Sequence, residues 1–168
     1  PGCSLYKSDM SGCDWTETTL TGANLVSAIR LDADLTGIDL TGANLSGADL
    51  TGNDLTVTIL TGVSMPYSIL SDVDLAGKDL SGTNLSGADL SNVILTGSDL
   101  TGTDLSNAIL AGADLTGVDL GETNLTEADL TGSDLTKTIL TGSLLSRANL
   151  AGTDLSGTII SGVDLSNV

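Results

Sequence analysis

Several residue types are scarce or missing from this chain of 168 residues. It contains no His and no Phe, aromatic residues make up 2%, and there are two Cys and two Pro. The lack of His excludes most nucleophilic triads and most transition-metal sites, because imidazole supplies the base or the ligand in them. Five Lys and Arg stand against 22 Asp and Glu, so the formal net charge is -17. Direct binding to nucleic acid or to an anionic membrane is disfavoured, because phosphate contacts need clustered cations.

Features of enzymes and of membrane spans are missing as well. No apolar run approaches the roughly 18–20 residues of a spanning helix, and no phosphate-binding loop is recognisable. Carboxylates recur throughout the chain, so a pair of them marks no acid–base site. Single Asp residues spaced along a repeat supply fewer than the roughly 6–8 oxygens that Ca²⁺ takes. We therefore expect no enzymatic activity, no cofactor and no metal.

A five-residue repeat runs through the whole sequence. Of the 33 positions taken every fifth residue from Leu5 to Leu165, 28 are Leu. With this position denoted i, position i−1 is mostly Asp or Asn, position i−2 is mostly small, and position i+2 holds 20 of the 21 Gly. On a helix, successive Leu would drift by roughly 140°, and on a straight strand they would alternate between faces. Each pentapeptide must therefore contain a turn, with i and i−2 inward, i−1 outward, and a corner at i+1 and i+2, where Gly accommodates positive φ.

The outward position i−1 predicts the number of corners in one coil. Asn occupies this position at four residues separated by multiples of twenty, which are Asn24, Asn44, Asn84 and Asn124. The one other Asn at an outward position is Asn149. A second row with the same spacing, the acidic row, is interrupted by Ile94 and comprises Asp14, Asp34, Asp54, Asp74, Asp114, Asp134 and Asp154. Two rows of different chemistry predict four sides per coil. That gives about eight coils of twenty residues, each rising about 4.8 Å, and a rod roughly 40 Å long.

The residues that carry a family resemblance are those of the repeat itself. The stretch ANLSGADLTG at residues 43–52 closely resembles the motif of the pentapeptide-repeat family, and the likeness covers essentially the whole chain. It implies an all-β fold, a right-handed quadrilateral parallel β-helix; the handedness rests on the resemblance alone. We expect residues 1–168 to form a single domain, with residues 1–15 as an irregular N-terminal cap coil. Met10 and Trp15 would plug its open end.

Two functions are compatible with an acidic rod. Seventeen of the 22 acids are Asp at position i−1, so most of the charge follows from the motif and keeps a Leu-rich rod soluble. The favoured function is a non-catalytic structural or protein-interaction module that binds a protein partner. The alternative, implied by the resemblance, is a DNA mimic that binds a type II topoisomerase such as gyrase, with the acidic row as its face.

Outward apolar residues gather near the C-terminal end of the sequence. Ile139, Leu144 and Ile159 fall on adjacent coils or sides and form a candidate contact surface. The competing interpretation is the β-propensity of Ile, which suits an extended position even when half exposed. No cap is visible after Leu165, and exposed strand edges favour end-to-end or C-terminal self-association.

A few residues depart from the repeat. Cys3 and Cys13 lie on opposite sides of the first coil, where their Cα atoms should exceed the roughly 7 Å limit for a disulfide; a distorted coil that bridges them stays an open alternative. Lys78 occupies an inward position and should extend its ammonium outward. Arg30, at position i, should reach solvent or Asp9 or Asp49 through a local bulge. The first residue is Pro1, so we expect a processed or trimmed N-terminus, and thylakoid lumen, periplasm and cytoplasm all stay open.

Overall fold

The fold is a stack of coils joined by parallel backbone pairing. The computed structural model describes residues 7, 15, 18–28, 35–165 and 167–168. Within those ranges the chain forms neither a helix nor a continuous strand, and its extended residues are single bridge positions at i−1. Each bridge joins a residue to the one twenty positions later, as in Asn44 with Ser64, Asp89 with Ile109, and Asp134 with Asp154. The twenty-residue period predicted from the outward rows is thus confirmed, and four pentapeptides complete one coil.

The hydrogen bonds of one repeat explain why five residues make one side and one corner. Four of the five amides in residues 43–47 donate to backbone carbonyls, each over 2.9 Å or less. The N–H of Ala43 bonds to Leu40, and that of Asn44 bonds to Ala23 in the coil before. The N–H groups of Leu45 and Gly47 bond to Ser64 and Pro66 in the coil after. The fifth, the N–H of Ser46, donates to Asn44 Oδ1 over 3.0 Å. Every N–H group of the repeat therefore has an acceptor, as an ordered backbone requires.

The corner geometry depends on a left-handed residue at i+2. Gly47 has φ of 63° there, and Tyr67, Asn92 and Lys137 adopt 58°, 55° and 60° at equivalent corners. Gly reaches this region at little steric cost, whereas a residue with a Cβ is strained in it. The enrichment of Gly at i+2 is therefore a backbone requirement of the corner.

Leu side chains fill the centre of the stack. Leu70, Leu90 and Leu110, which succeed one another at intervals of twenty residues, are each 0% exposed. Small inward residues complete the packing, and the polar ones bond to the backbone: Thr103 and Thr123 donate their hydroxyls to Leu80 and Leu100 carbonyls, each over 2.8 Å. Ser and Thr are tolerated inside because those bonds satisfy their hydroxyl groups.

The ends of the stack expose part of the core. Trp15 is half-buried and packs against the Leu column. The rest of the predicted cap at residues 1–15 lies, apart from residue 7, outside the described residues, as do Cys3, Cys13 and Arg30. At the other end Leu155, Ile160 and Leu165 are 37%, 45% and 48% exposed.

Candidate interaction surface

The outward Asp and Asn side chains have a structural role that sequence reasoning missed. Asp39 Oδ1 accepts the N–H of Thr41 over 2.9 Å, and Asp99 Oδ1 accepts the N–H of Thr101 over 2.9 Å. This is an Asx turn, in which a short polar side chain replaces a backbone acceptor two residues on. The available signal was Asp or Asn placed one residue before each Leu and three residues before the corner Gly. The outward carboxylate therefore stabilises the corner as well as carrying charge.

The same bonds keep several of these carboxylates ionised. The pKa of Asp54 and of Asp114 is held below its ordinary value, first by the hydroxyl of the following Thr and then by that residue's backbone N–H. For Asp99 the backbone N–H of Thr101 is the larger cause, and the pKa is again lowered. Donors that bond to the charged form favour it. An Asp carboxylate is ionised at neutral pH even at its ordinary pKa, so the lowered pKa extends the anionic range of the rod to more acidic pH.

The acidic row is present as one line over most of its length. Bridges connect Asp74 to Ile94 and then to Asp114, Asp134 and Asp154 in succession. Asp54 lies on the same side, but no bridge joins it to Asp74. Asp14 and Asp34 lie outside the described residues. Ile94, 42% exposed, divides the line into two acidic segments.

The three outward apolar residues near the C-terminal end, here called the C-terminal apolar patch, lie together. Ile139 and Ile159 are bridge partners on one side, and Leu144 lies on the next side of the same coil. Leu144 and Ile159 are 51% and 52% exposed, whereas Ile139 is half-buried between its paired neighbours. None of the three side chains carries an oxygen, so each position gives up the Asx bond to the corner. The patch therefore replaces a stabilising polar contact with exposed apolar surface.

Two further kinds of feature, a metal site and a membrane-spanning helix, are not found among the described residues. Among them, no group of three or more Cys, Asp or Glu is arranged to hold a metal ion. A search of the same residues for a helix long and apolar enough to cross a membrane found none.

Comparison with known proteins identifies the repeat. The family model for pentapeptide repeats matches in eight copies, over residues 2–29, 32–65, 68–107, 108–147 and 128–167. The chain belongs to the pentapeptide-repeat family. Proteins of this family are in general non-enzymatic scaffolds, and no catalytic family is indicated for this pentapeptide-repeat chain. None of the curated proteins matches it significantly.

Solved structures of other pentapeptide-repeat proteins resemble this one. HetL, involved in heterocyst differentiation regulation in the cyanobacterium Nostoc sp. strain PCC 7120, is 30% identical, with 96% of this chain and 84% of HetL covered and a TM-score of 0.43. A trypsin-treated form of QnrB1, a plasmid-mediated fluoroquinolone resistance protein, is 18% identical over 99% of this chain and 91% of its own, with a TM-score of 0.50. Rfr23 from the cyanobacterium Cyanothece 51142 is 25% identical over 94% and 88%, with a TM-score of 0.31.

Proposed function

We propose that this pentapeptide-repeat chain is a non-catalytic, rigid acidic rod that binds a protein partner through its C-terminal apolar patch. The observation that carries the proposal is the patch itself, where Leu144 and Ile159, on adjacent sides of the stack, are 51% and 52% exposed. Other outward apolar side chains, among them Ile59, Ile94 and Ile109, are 47%, 42% and 42% exposed. Leu and small residues fill the interior of the described coils, so recognition has to occur on the outside. Exposed apolar clusters with a polar rim are typical of protein contact sites.

The surroundings of the patch define the chemistry of the partner. Asp119 precedes Ile139 in its stack and Asp164 follows Leu144, so acidic residues border the apolar centre. A partner that presents an apolar side chain flanked by Lys or Arg would match both features, and the net charge of -17 would accelerate its approach.

Variants that restore the repeat provide a sharp test. The substitutions Ile139→Asp, Leu144→Asn and Ile159→Asp each install the residue type common elsewhere in the same row, and each supplies an oxygen for the Asx bond. The triple variant should therefore fold at least as stably as the parent while lacking the patch. A matched control, Ile94→Asp, makes the same chemical change on another side.

The readout is quantitative capture from an extract of the source cell, followed by affinity measurement with the recovered partner. A partner bound by the parent and by Ile94→Asp, and lost from the triple variant, supports the proposal. An identical set of bound proteins for all three chains contradicts it. Light scattering on the same samples tests self-association through the C-terminal end, which predicts a lower mass for the triple variant.

Two architectural features are part of the proposal. Membership of the family supports a right-handed quadrilateral coil with about eight turns of twenty residues. We also propose that residues 1–168 are one domain in which residues 1–15 form the N-terminal cap.

A second candidate function rests on the acidic row. Asp74, Asp114, Asp134 and Asp154 line one side with a rise of about 4.8 Å per coil, and a line of fixed negative charge is what a DNA mimic presents to a type II topoisomerase. Asp→Asn changes at Asp54, Asp74, Asp114 and Asp134 remove charge yet keep the Oδ1 acceptor of the Asx bond. Inhibition of gyrase supercoiling by the parent and not by the Asn variant would support mimicry. Absence of inhibition by the folded parent would exclude it.

A further inference from the structure

Between two successive coils, backbone pairing is missing along two of the four sides. No backbone–backbone hydrogen bond joins residues 52–62 to residues 71–81, and the bridges expected between Asp54 and Asp74 and between Ile59 and Asp79 are missing. Before and after these segments the coils are paired: Leu50 N–H bonds to Ile69 and Met65 N–H to Asn84, each over 2.9 Å. The facing segments 52–62 and 71–81 are here called the seam.

The corner at Val57 accounts for part of the interruption. Val57 is the one residue at position i+2, among those the structure describes, whose φ is not positive; its neighbours Gly52 and Gly62 have φ of 77° and 62°. A β-branched residue is strongly disfavoured in the left-handed region. In a regular corner the N–H at i+2 points to the coil after, as Gly42 does to Thr61 over 3.0 Å. The N–H of Val57 makes no such bond. The carbonyl of Thr56, which precedes it, accepts a hydrogen bond from a side chain in the coil after.

That partner is the side chain of Lys78. Its ammonium donates to the carbonyls of Thr56 and Thr58 over 2.7 and 2.8 Å. In the regular pattern the Thr58 carbonyl would accept from the N–H of Asp79, so the ammonium has taken the place of a ladder bond. Burial lowers the pKa of Lys78, while the carboxylates of Asp54 and Asp74 act to raise it.

A second polar residue adds to the interruption from inside. Asn53 occupies an inward position and is 7% exposed. Its amide donates to the Leu50 carbonyl over 3.0 Å, but its Oδ1 is buried without a partner in the structure. A buried acceptor that is left unpaired weakens the closed state, because that oxygen is hydrated when the coils part.

We propose that the seam is the place where the rod opens reversibly, and that the Lys78 side chain is the latch that holds it closed. At the seam, the flexible side chain of Lys78 replaces the series of backbone hydrogen bonds that regular coils have across the same two sides. Local opening is easiest where backbone bonds are fewest, so the coils before and after the seam should separate on these two sides while the other two act as a hinge.

Hydrogen exchange on the full chain tests the proposal against an internal reference. Leu95, Leu100 and Asp114 lie two coils further on, on the same sides as Leu55, Leu60 and Asp74, and their amides bond to Asp114, Asp119 and Val93 over 3.0, 3.2 and 2.9 Å. The seam amides should exchange at least about tenfold faster than this reference set. Equal protection in the two sets would overturn the proposal.

Substitutions then separate the latch from the corner. Lys78→Met keeps a long side chain without the ammonium and should raise exchange at the seam by a further several-fold. The double change Val57→Gly with Lys78→Thr restores a left-handed corner and a small inward residue, and should bring seam exchange down towards the reference. Protection of Leu95, Leu100 and Asp114 in each sample reports that the coils are folded. Unchanged seam exchange in Lys78→Met, with the reference set protected, would rule out the latch.

Discussion

Truncation of Leu90 to Ala tests how the interior column stabilises the rod. Leu90 is 0% exposed, as are Leu70 before it and Leu110 after it in the stack. Three carbons are removed, which is about 2.4 kcal/mol of transfer free energy at roughly 0.8 kcal/mol per CH₂. The neighbouring Leu residues are fixed by backbone bonds of 2.7 Å from Leu70 to Asp89 and from Leu90 to Ile109, so the cavity cannot collapse. We expect a total loss of about 3–5 kcal/mol.

The assay is urea unfolding followed by far-UV circular dichroism, together with thermal melting. A loss near 4 kcal/mol corresponds to about 8–16 °C in Tm for a chain of this size. Leu165→Ala is the matched control, because Leu165 occupies the same repeat position and is 48% exposed; its truncation should cost less than about 1.5 kcal/mol. Similar losses at Leu90 and Leu165 would refute the assignment of a continuous buried column.

Three further predictions concern the corners and the outward acids. Asp99→Ala removes the acceptor of the Thr101 N–H and should cost about 0.5–1.5 kcal/mol in urea unfolding, whereas Asp99→Asn should be near neutral; a loss in both would show that charge, and not the Asx bond, matters there. Gly82 has φ of 62° and open space around a Cβ, so Gly82→Ala should cost about 1–2 kcal/mol through the backbone alone, and Gly82→Asn less. The pKa of several Asp is lowered from 3.8 in the folded state, so the stability that these carboxylates contribute is complete above that value and is lost as the pH falls through the lower folded pKa. The urea midpoint should therefore stay level from pH 7 to 5 and drop below about pH 4. A midpoint that rises on acidification would contradict this. The carboxylates concerned are Asp39, Asp54, Asp99, Asp114 and Asp154.

The coil could be predicted from the sequence because its period is written in the residues themselves. An interior Leu every fifth position and an outward row every twentieth position specify a turn per repeat and four sides per coil, and the bridge between Asn44 and Ser64 has that spacing. The same rows placed Asp74, Asp114, Asp134 and Asp154 on one side, as the structure has them. A repeat period identifies the residues that occupy equivalent positions in the coil. Those positions were sufficient to predict the number of sides and the alignment of the acidic row.

Contacts that depend on the direction of a single group were beyond the pattern. The Asx bond of Asp99 is a matter of which atom accepts the N–H of Thr101, and the repeat alone describes Asp simply as outward. The seam includes the corner at Val57, where φ is not positive, and the sequence signal for it is one β-branched residue where Gly is usual. The pattern placed Ile139 and Ile159 outward but did not specify how exposed each would be: Ile159 is 52% exposed, whereas Ile139 is half-buried.

The interior of the coil repeats every five residues, whereas its outward rows repeat every twenty. This difference affects how such rods can diversify. Removal of one pentapeptide returns every later Leu to an inward position, so the packing is hardly disturbed. Backbone partners, however, remain twenty residues apart, and everything beyond the deletion therefore rotates by a quarter turn about the long axis. Short deletions and duplications can in this way re-aim one surface relative to another while the dry centre is left as it was.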